Sequence, residues 1–101
     1  MLFDCLDTDS AKGFEWDEGN TLKNKIKHDL DWWLIEEVFF NEPLLVVTDA
    51  KHSGNECRCY ALGKTDEGRL LFVAFTLREN RIRIISARPM SRKERTIYEA
   101  E

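Results

Sequence analysis

Apolar and polar positions along the chain change their period at Pro43. Before Pro43 the spacing is helical: residues 18–28 follow Asp17, which is placed to cap a helix, and Asp31 is placed to cap a second one. A short strand at residues 14–16 precedes both helices. After Pro43, runs of strand-forming residues bounded by turns predict four strands, at residues 44–48, 57–63, 69–77 and 81–87.

The end of the chain adds a third helix to this pattern. The last strand breaks at Pro89, and Ser91 with Glu94 three residues later has the spacing of a capping box. Residues 70–77 are apolar on both faces, which is typical of a central strand that is covered on two sides. The sequence therefore predicts an α+β fold with a mostly antiparallel β-sheet, two N-terminal helices and a C-terminal helix.

Length and composition favour one domain. The chain has 101 residues, of which 43% are hydrophobic, and this leaves room for a single core. Residues 1–13 are rich in Asp and are predicted to be a flexible acidic arm, whereas residues 14–101 form the domain. No apolar run approaches the roughly 20 residues that cross a bilayer, and the start of the chain is too acidic for a signal peptide. We expect a cytoplasmic protein with no membrane contact.

The net charge of −4 hides a strong asymmetry between the two halves of the chain. Residues 1–50 carry a net charge of −8, and residues 51–101 carry +4. If the halves also separate in space, one surface attracts phosphate while another repels it, which suits a protein that binds nucleic acid locally. The alternative is that the halves interleave and their charges cancel.

The three cysteines do not describe a disulfide framework, because two of them are only one residue apart. Cys57 and Cys59 share a predicted strand face with Ala61, so we interpret them as small, reduced, buried side chains. A zinc site that also uses His28 and His52 is the alternative, although paired CxxC spacing is absent. We expect no metal and no cofactor.

Basic residues collect in the last strand and in the helix after it, and their ligands are expected to be anions. The members of this cluster are Arg81, Arg83, Arg88, Arg92, Lys93 and Arg95.

Cleavage of RNA without a metal needs a base for the 2′-hydroxyl, an acid for the 5′-oxygen and cations for the phosphorane. His52 and Glu56 lie in the long polar loop of residues 49–56 and are candidates for proton transfer. The candidates for charge stabilisation are arginines that can grip two phosphate oxygens at once: Arg58, Arg78, Arg83 and Arg88. Taken singly, each could instead be a solvated or ion-paired surface group.

Strand pairing predicts that these arginines form two basic patches. If residues 79–80 form a two-residue turn, Arg78 faces Arg81, while Arg88 lies roughly 20 Å away at the ordinary rise of a strand. Arg58 and the loop with His52 should lie at the Arg78 end, and Lys64 and Arg69 at the Arg88 end. The alternation of the last strand places Arg88 on the face of Ile82 and Ile84, with its stem half buried and its head fixed at the sheet edge.

The first helix offers further cations for an RNA-binding surface. Lys23, Lys27 and His28 lie towards its C-terminal end. His28 could equally do no more than cap the negative end of the helix dipole.

Five motifs in the chain together resemble the BrnT family. They are FEWDEGN at 14, KH at 27, HSGNECR at 52, GRLLFVAFTLR at 68 and RIRIISARPMSRKERTIYE at 81. The resemblance covers residues 14–99, and it implies a small RelE-like domain that acts as the toxin of a type II toxin-antitoxin system, cleaving RNA and arresting translation. It also implies a BrnA-like ribbon-helix-helix antitoxin as partner, so that DNA is bound only indirectly, through the antitoxin.

The resemblance carries over to single residues only where positions match. Arg78 and Arg88 match family arginines that are implied to be important for toxicity, and Tyr98 matches a terminal tyrosine that could stack on a base or assist proton transfer. Packing of the last helix onto the sheet is the other interpretation of Tyr98. The sequence departs from the family pattern at Asp29, where a glycine is usual, and in its N-terminal arm, which could lie over a basic groove and compete with RNA.

The preferred interpretation is a metal-independent endoribonuclease toxin that cleaves RNA and inhibits translation. The alternative is a catalytically inactive domain that binds RNA or only its antitoxin. A small structural or metal-binding domain is a weaker third interpretation.

Overall fold

A computed structural model describes residues 13–48, 58–78 and 80–101 of the chain. The predicted N-terminal arm, apart from Gly13, lies outside the described residues, as does the loop with His52 and Glu56. Cys57 lies outside them as well.

The described residues form three α-helices and one five-stranded sheet. In chain order they are β1 (Phe14–Glu15), α1 (Glu18–His28), α2 (Trp32–Glu37), a 3₁₀ turn (Val38–Phe40), β2 (Leu45–Thr48), β3 (Arg58–Lys64), β4 (Leu70–Arg78), β5 (Arg81–Pro89) and α3 (Arg92–Glu99). The strand order is β1-β5-β4-β3-β2, in which β1 is parallel to β5 and the other neighbours are antiparallel. This arrangement confirms the predicted α+β class. No helix in the described parts of the chain is long and apolar enough to cross a membrane.

The helix starts follow the predicted caps with one exception. The Asp17 carboxylate accepts a hydrogen bond from the Asn20 backbone N–H, at 3.2 Å, and so caps α1. Ser91 and Glu94 form the complete capping box of α3. Asp31 is the N-cap residue of α2, but its side chain makes no capping hydrogen bond; its carboxylate lies 3.3 Å from the ammonium of Lys25.

The core lies between the helices and one face of the sheet, which we call the helix face. Strand β4 occupies the centre of the sheet, as predicted, and its side chains on this face, Leu71, Val73 and Phe75, are fully buried. Leu30, Ile35 and Val38, together with side chains of β3 and β5, complete the same cluster. The apolar positions of the strands thus hold the sheet against α2 and the 3₁₀ turn. The other sheet face carries strand arginines as well as Tyr60 and Phe72.

A β-bulge in β5 corrects the predicted placement of Arg88. Ala74 pairs with Ser86 and Phe75 pairs with Ile84, so Ile85 is an extra residue in β5. One extra residue reverses the alternation of all later side chains. Arg88 therefore pairs with Phe72 and lies on the sheet face opposite to Ile84, and the prediction that they share a face is wrong.

Candidate functional site

Five arginines from three adjacent strands lie on the sheet face opposite to the core, which we call the arginine face. Side chains alternate between faces along each strand, so the pairing register settles which residues share this face. Arg58 pairs with Thr76, Thr76 pairs with Arg83, and Arg78 pairs with Arg81. Arg88 joins them through its pairing with Phe72, which is on the Thr76 face of β4. The bulge is what brings Arg88 to the same face as the other four.

The first basic patch, which we call the Arg78 patch, is built around one row of residues across the sheet. Arg58, Thr76 and Arg83 lie side by side on β3, β4 and β5, so the two arginines are about 10 Å apart at the ordinary strand spacing. Thr76 is buried between them, with 3% of its surface exposed. Arg78, at the end of β4, has Nη1 3.8 Å from Oε1 of Glu15, a carboxylate that β1 contributes to the edge of this patch.

Arg88 forms the second patch, at the other end of the same face. Along β4, Phe72 and Arg78 are six residues apart, which is about 20 Å at strand rise. The predicted separation into two patches is therefore in agreement with the register. The Arg88 guanidinium carbon lies 4.1 Å from the centroid of the Phe72 ring, and both terminal nitrogens donate to the carboxylate of Glu94 on α3. The Glu94 hydrogen bonds raise the pKa of Arg88, and the same bonds lower the pKa of Glu94, so both groups stay charged.

The C-terminal end of α1 meets the Arg88 patch. His28 is the last residue of α1, and Arg69 donates hydrogen bonds to the backbone oxygens of His28 and Asp29, at 3.2 and 3.3 Å. Burial lowers the pKa of His28, and the nearby charges of Lys27 and Arg88 lower it further. The imidazole is therefore kept neutral at neutral pH, which is the form that accepts a proton. Lys23 and Lys27 are both exposed on α1.

Tyr98 is placed as a packing residue of α3. Only 5% of its surface is exposed, and its hydroxyl donates a 2.7 Å hydrogen bond to the backbone oxygen of Pro43. Burial raises the pKa of Tyr98, so the hydroxyl keeps its proton. This geometry favours the packing interpretation over base stacking or proton transfer.

The remaining candidates from the sequence divide between the patches and the part of the chain outside the described residues. Arg58, Arg78 and Arg83 share one patch, whereas His28 lies near Arg88. Lys23 and Lys27 are exposed on α1. His52 and Glu56 lie outside the described residues, as does Cys57. Cys59 is buried on the helix face. Among the described residues, no group of three or more His, Cys, Asp or Glu side chains could hold a metal ion.

Sequence reasoning missed two residues of the Arg88 patch. Phe72 faces Arg88 only because of the bulge, which has no simple sequence signal. Glu94 was recognised as the third helical residue of a capping box, but its second role, as the partner of Arg88, was not. The available signal was its position at the start of α3, directly after the strand that carries Arg88.

Comparison with known proteins identifies a family and a solved structure with a similar fold. Residues 16–94 match the model of the family described as the ribonuclease toxin, BrnT, of type II toxin-antitoxin systems. The fold is similar to the crystal structure of the Brucella abortus ribonuclease toxin, BrnT, with a TM-score of 0.61 and 24% sequence identity; the match covers 79% of this chain and 97% of that one. At this identity the structural match shows the fold. No curated protein matches the chain.

Proposed function

The chain belongs to the BrnT family of ribonuclease toxins of type II toxin-antitoxin systems, and we propose that it cleaves RNA without a metal ion, on the arginine face of its sheet. The observation that carries this proposal is the convergence of five arginines from three strands on one face. Arginines bind RNA through its phosphate groups. A guanidinium group held at the phosphate that is cleaved also stabilises the negative charge of the phosphorane.

We assign the reaction to the Arg88 patch and RNA binding to the Arg78 patch, because about 20 Å along β4 is too far for one reacting phosphate to touch both. Arg88 is held by Phe72 and Glu94. His28, whose neutral imidazole lies near the Arg88 charge, is the candidate base for the 2′-hydroxyl. Arg58, Arg78 and Arg83 would then hold the neighbouring phosphates.

His52 and Glu56 remain proposed acid and base groups for the opposite arrangement, in which the reaction takes place at the Arg78 end. Both residues come directly before β3 in the sequence, and Arg58 is the first residue of that strand. Substitution separates the two arrangements. His28→Gln should abolish cleavage if the reaction takes place at Arg88, and His52→Gln should abolish it if the reaction takes place at Arg78.

A type II toxin has an antitoxin as its partner. We propose that this partner is a BrnA-like ribbon-helix-helix protein that neutralises the toxin and also binds operator DNA, so that the toxin meets DNA only through it. We further propose that the toxin acts in the cytoplasm and that cleavage of RNA arrests translation. Co-expression of the antitoxin should restore the growth of cells that express the toxin.

The test of the proposed activity is incubation of the purified, antitoxin-free protein with RNA in excess EDTA. Defined fragments are expected from the wild type, strong loss of cleavage from Arg88→Ala, and weaker RNA binding from Arg78→Ala. Arg92→Ala, at an exposed position of α3, is the matched control and should cleave normally. Fragments that disappear when EDTA is added would contradict the metal-independent mechanism.

The second candidate function is RNA binding or antitoxin binding without cleavage. It is favoured by the ion pair of Arg88 with Glu94, because the carboxylate offsets the positive charge that would attract a phosphate. Retention of RNA without fragments in the same experiment would support an inactive RNA-binding domain. Neither retention nor fragments would leave a domain that serves only to hold the antitoxin.

A further inference from the structure

Arg88 is fixed by three groups at once. Its Nη1 donates to Oε1 of Glu94 at 2.8 Å and to the backbone oxygen of Pro89 at 3.1 Å, and its Nη2 donates to Oε2 of Glu94 at 2.9 Å. The guanidinium group also lies over the ring of Phe72. The side chain is nevertheless 40% exposed, so it is held in place without being enclosed.

These bonds use only part of what the guanidinium group can donate. Arginine has five N–H groups, and the three bonds account for both hydrogens of Nη1 and one of Nη2. The N–H of Nε and the second hydrogen of Nη2 have no partner within the described parts of the chain. These two hydrogens point in parallel and form the fork that binds two oxygens of one phosphate.

Glu94 is in turn fixed by the start of α3. Its Oε1 accepts a 2.8 Å hydrogen bond from the Ser91 backbone N–H, while the Ser91 hydroxyl accepts from the Glu94 backbone N–H at 3.2 Å. The Glu94 side chain is only 20% exposed. The capping box that begins α3 and the ion pair that holds Arg88 therefore share one carboxylate, and the backbone N–H of Ser91, not its hydroxyl, fixes that carboxylate.

We propose that Glu94 is a positioning residue of the ribonuclease site, which fixes Arg88 over Phe72 with the Nε and Nη2 fork directed at the phosphodiester. The inference rests on the proposed function, because it assigns a role in the same site. Glu94 does not compete with the substrate for this fork, since it uses the other edge of the guanidinium group. An arginine that is already ordered loses little side-chain freedom when the phosphate binds.

Two variants separate positioning from simple support of the helix. Glu94→Gln removes the charge and part of the grip on Arg88, but glutamine also serves as the third residue of a capping box. Ser91→Ala removes the other half of the capping box and leaves the Arg88 and Glu94 side chains paired. Both variants should retain the helical circular dichroism of the wild type.

Kinetics on RNA, measured with the full-length, antitoxin-free protein in EDTA, are the first readout. We expect Glu94→Gln to lower kcat by about 10- to 100-fold, as is usual when a reacting group is displaced, with KM unchanged or lower because the patch becomes more positive. Ser91→Ala should keep kcat within about 2-fold of the wild type, because the ordinary loss from a missing cap is one of stability. Equal losses in the two variants would overturn the proposal, and so would faster cleavage by Glu94→Gln, which would mark Glu94 as an inhibitor.

Nuclear magnetic resonance of the Arg88 guanidinium group is the second readout, and it does not depend on cleavage. The wild type should show separate signals for the Nη groups, because the ion pair restricts rotation, and Glu94→Gln should merge them. Merged signals in the wild type would overturn the positioning role, whether or not RNA is cut. Separate signals in a protein that cuts no RNA would contradict the proposed function and leave the fixed arginine intact.

Discussion

At the scale of single residues, Tyr98 joins α3 to the start of the β2 segment through one buried hydrogen bond. Its hydroxyl donates to the backbone oxygen of Pro43, and almost none of the side chain reaches the surface. Tyr98→Phe removes only this hydroxyl and leaves the Pro43 oxygen without that donor. We predict a loss of about 1 kcal/mol in the free energy of unfolding, seen as a fall of roughly 4–8 °C in the melting temperature.

The same variant separates the two interpretations of Tyr98. If the residue packs α3, Tyr98→Phe should cleave RNA at the wild-type rate well below its melting temperature. Unchanged stability combined with impaired cleavage would contradict the packing role and return Tyr98 to the RNA-binding surface.

Asp29 shows how far a single residue can be interpreted from sequence. The resemblance to the family marked this position as one where glycine is usual, and the structure explains why: Asp29 has a φ of +54°, in the left-handed region that glycine adopts most easily. Asp29 and Leu30 donate to the last carbonyls of α1, and the Asp29 carboxylate binds Lys25 at 2.8 Å. The departure from the family pattern was visible in the sequence, but the local ion pair that accompanies it was not.

At the scale of elements, the contact between β3 and the 3₁₀ turn depends on a glycine. A β-carbon built at Gly63 would lie 2.5 Å from Cγ1 of Val38 and 3.2 Å from its backbone oxygen. We predict that Gly63→Ala lowers the free energy of unfolding by about 1–3 kcal/mol, the usual cost of overpacking a core. Chemical denaturation of the variant measures this loss.

A double-mutant cycle attributes that loss to the close approach of the two elements. Val38→Ala alone leaves a cavity, because Val38 is fully buried. In the Gly63→Ala background, Val38→Ala also removes the methyl group that clashes with the new β-carbon. It should therefore lower the free energy of unfolding by less than it does alone, with a coupling free energy of roughly 0.5–3 kcal/mol. Strictly additive effects would show that the glycine is needed for another reason.

The sequence predicts the positions of the helices and strands, but it does not predict the bulge in β5. Periodicity and turn residues located the five strands and the first helix to within two residues, and they located the starts of α2 and α3, because those signals are local. The change from α-helix to 3₁₀ turn at Val38 was not predicted. The extra residue at Ile85 depends on how β4 and β5 pack, which no local pattern shows, so the change of face at Arg88 was not predicted. The separation of Arg78 from Arg88 followed from strand pairing and strand rise alone, whereas the contacts of Arg88 with Phe72 and Glu94 depend on the bulge and on how α3 packs.

At the scale of the whole molecule, acidic and basic residues of the described chain concentrate in different elements. Residues 29–42, which include α2 and the 3₁₀ turn, carry five acidic residues and no basic one. The arginine face lies on the other side of the core. We therefore expect an RNA strand to be attracted to the arginine face rather than to the side of α2, and the net acidity of the chain is compatible with binding to phosphate.

This polarity predicts how RNA binding depends on salt. The slope of log K against log salt concentration should fall by about 0.7 for each phosphate contact that is removed from a single strand. Arg83→Gln removes a cation from the centre of the arginine face and should flatten the slope by that amount. Lys25→Gln makes the same change of charge on α1, at an ammonium held by Asp29 and Asp31, and should leave the slope unchanged. Binding measured across a salt series decides the point: a slope that responds to Lys25 and not to Arg83 would place the RNA on the helical side.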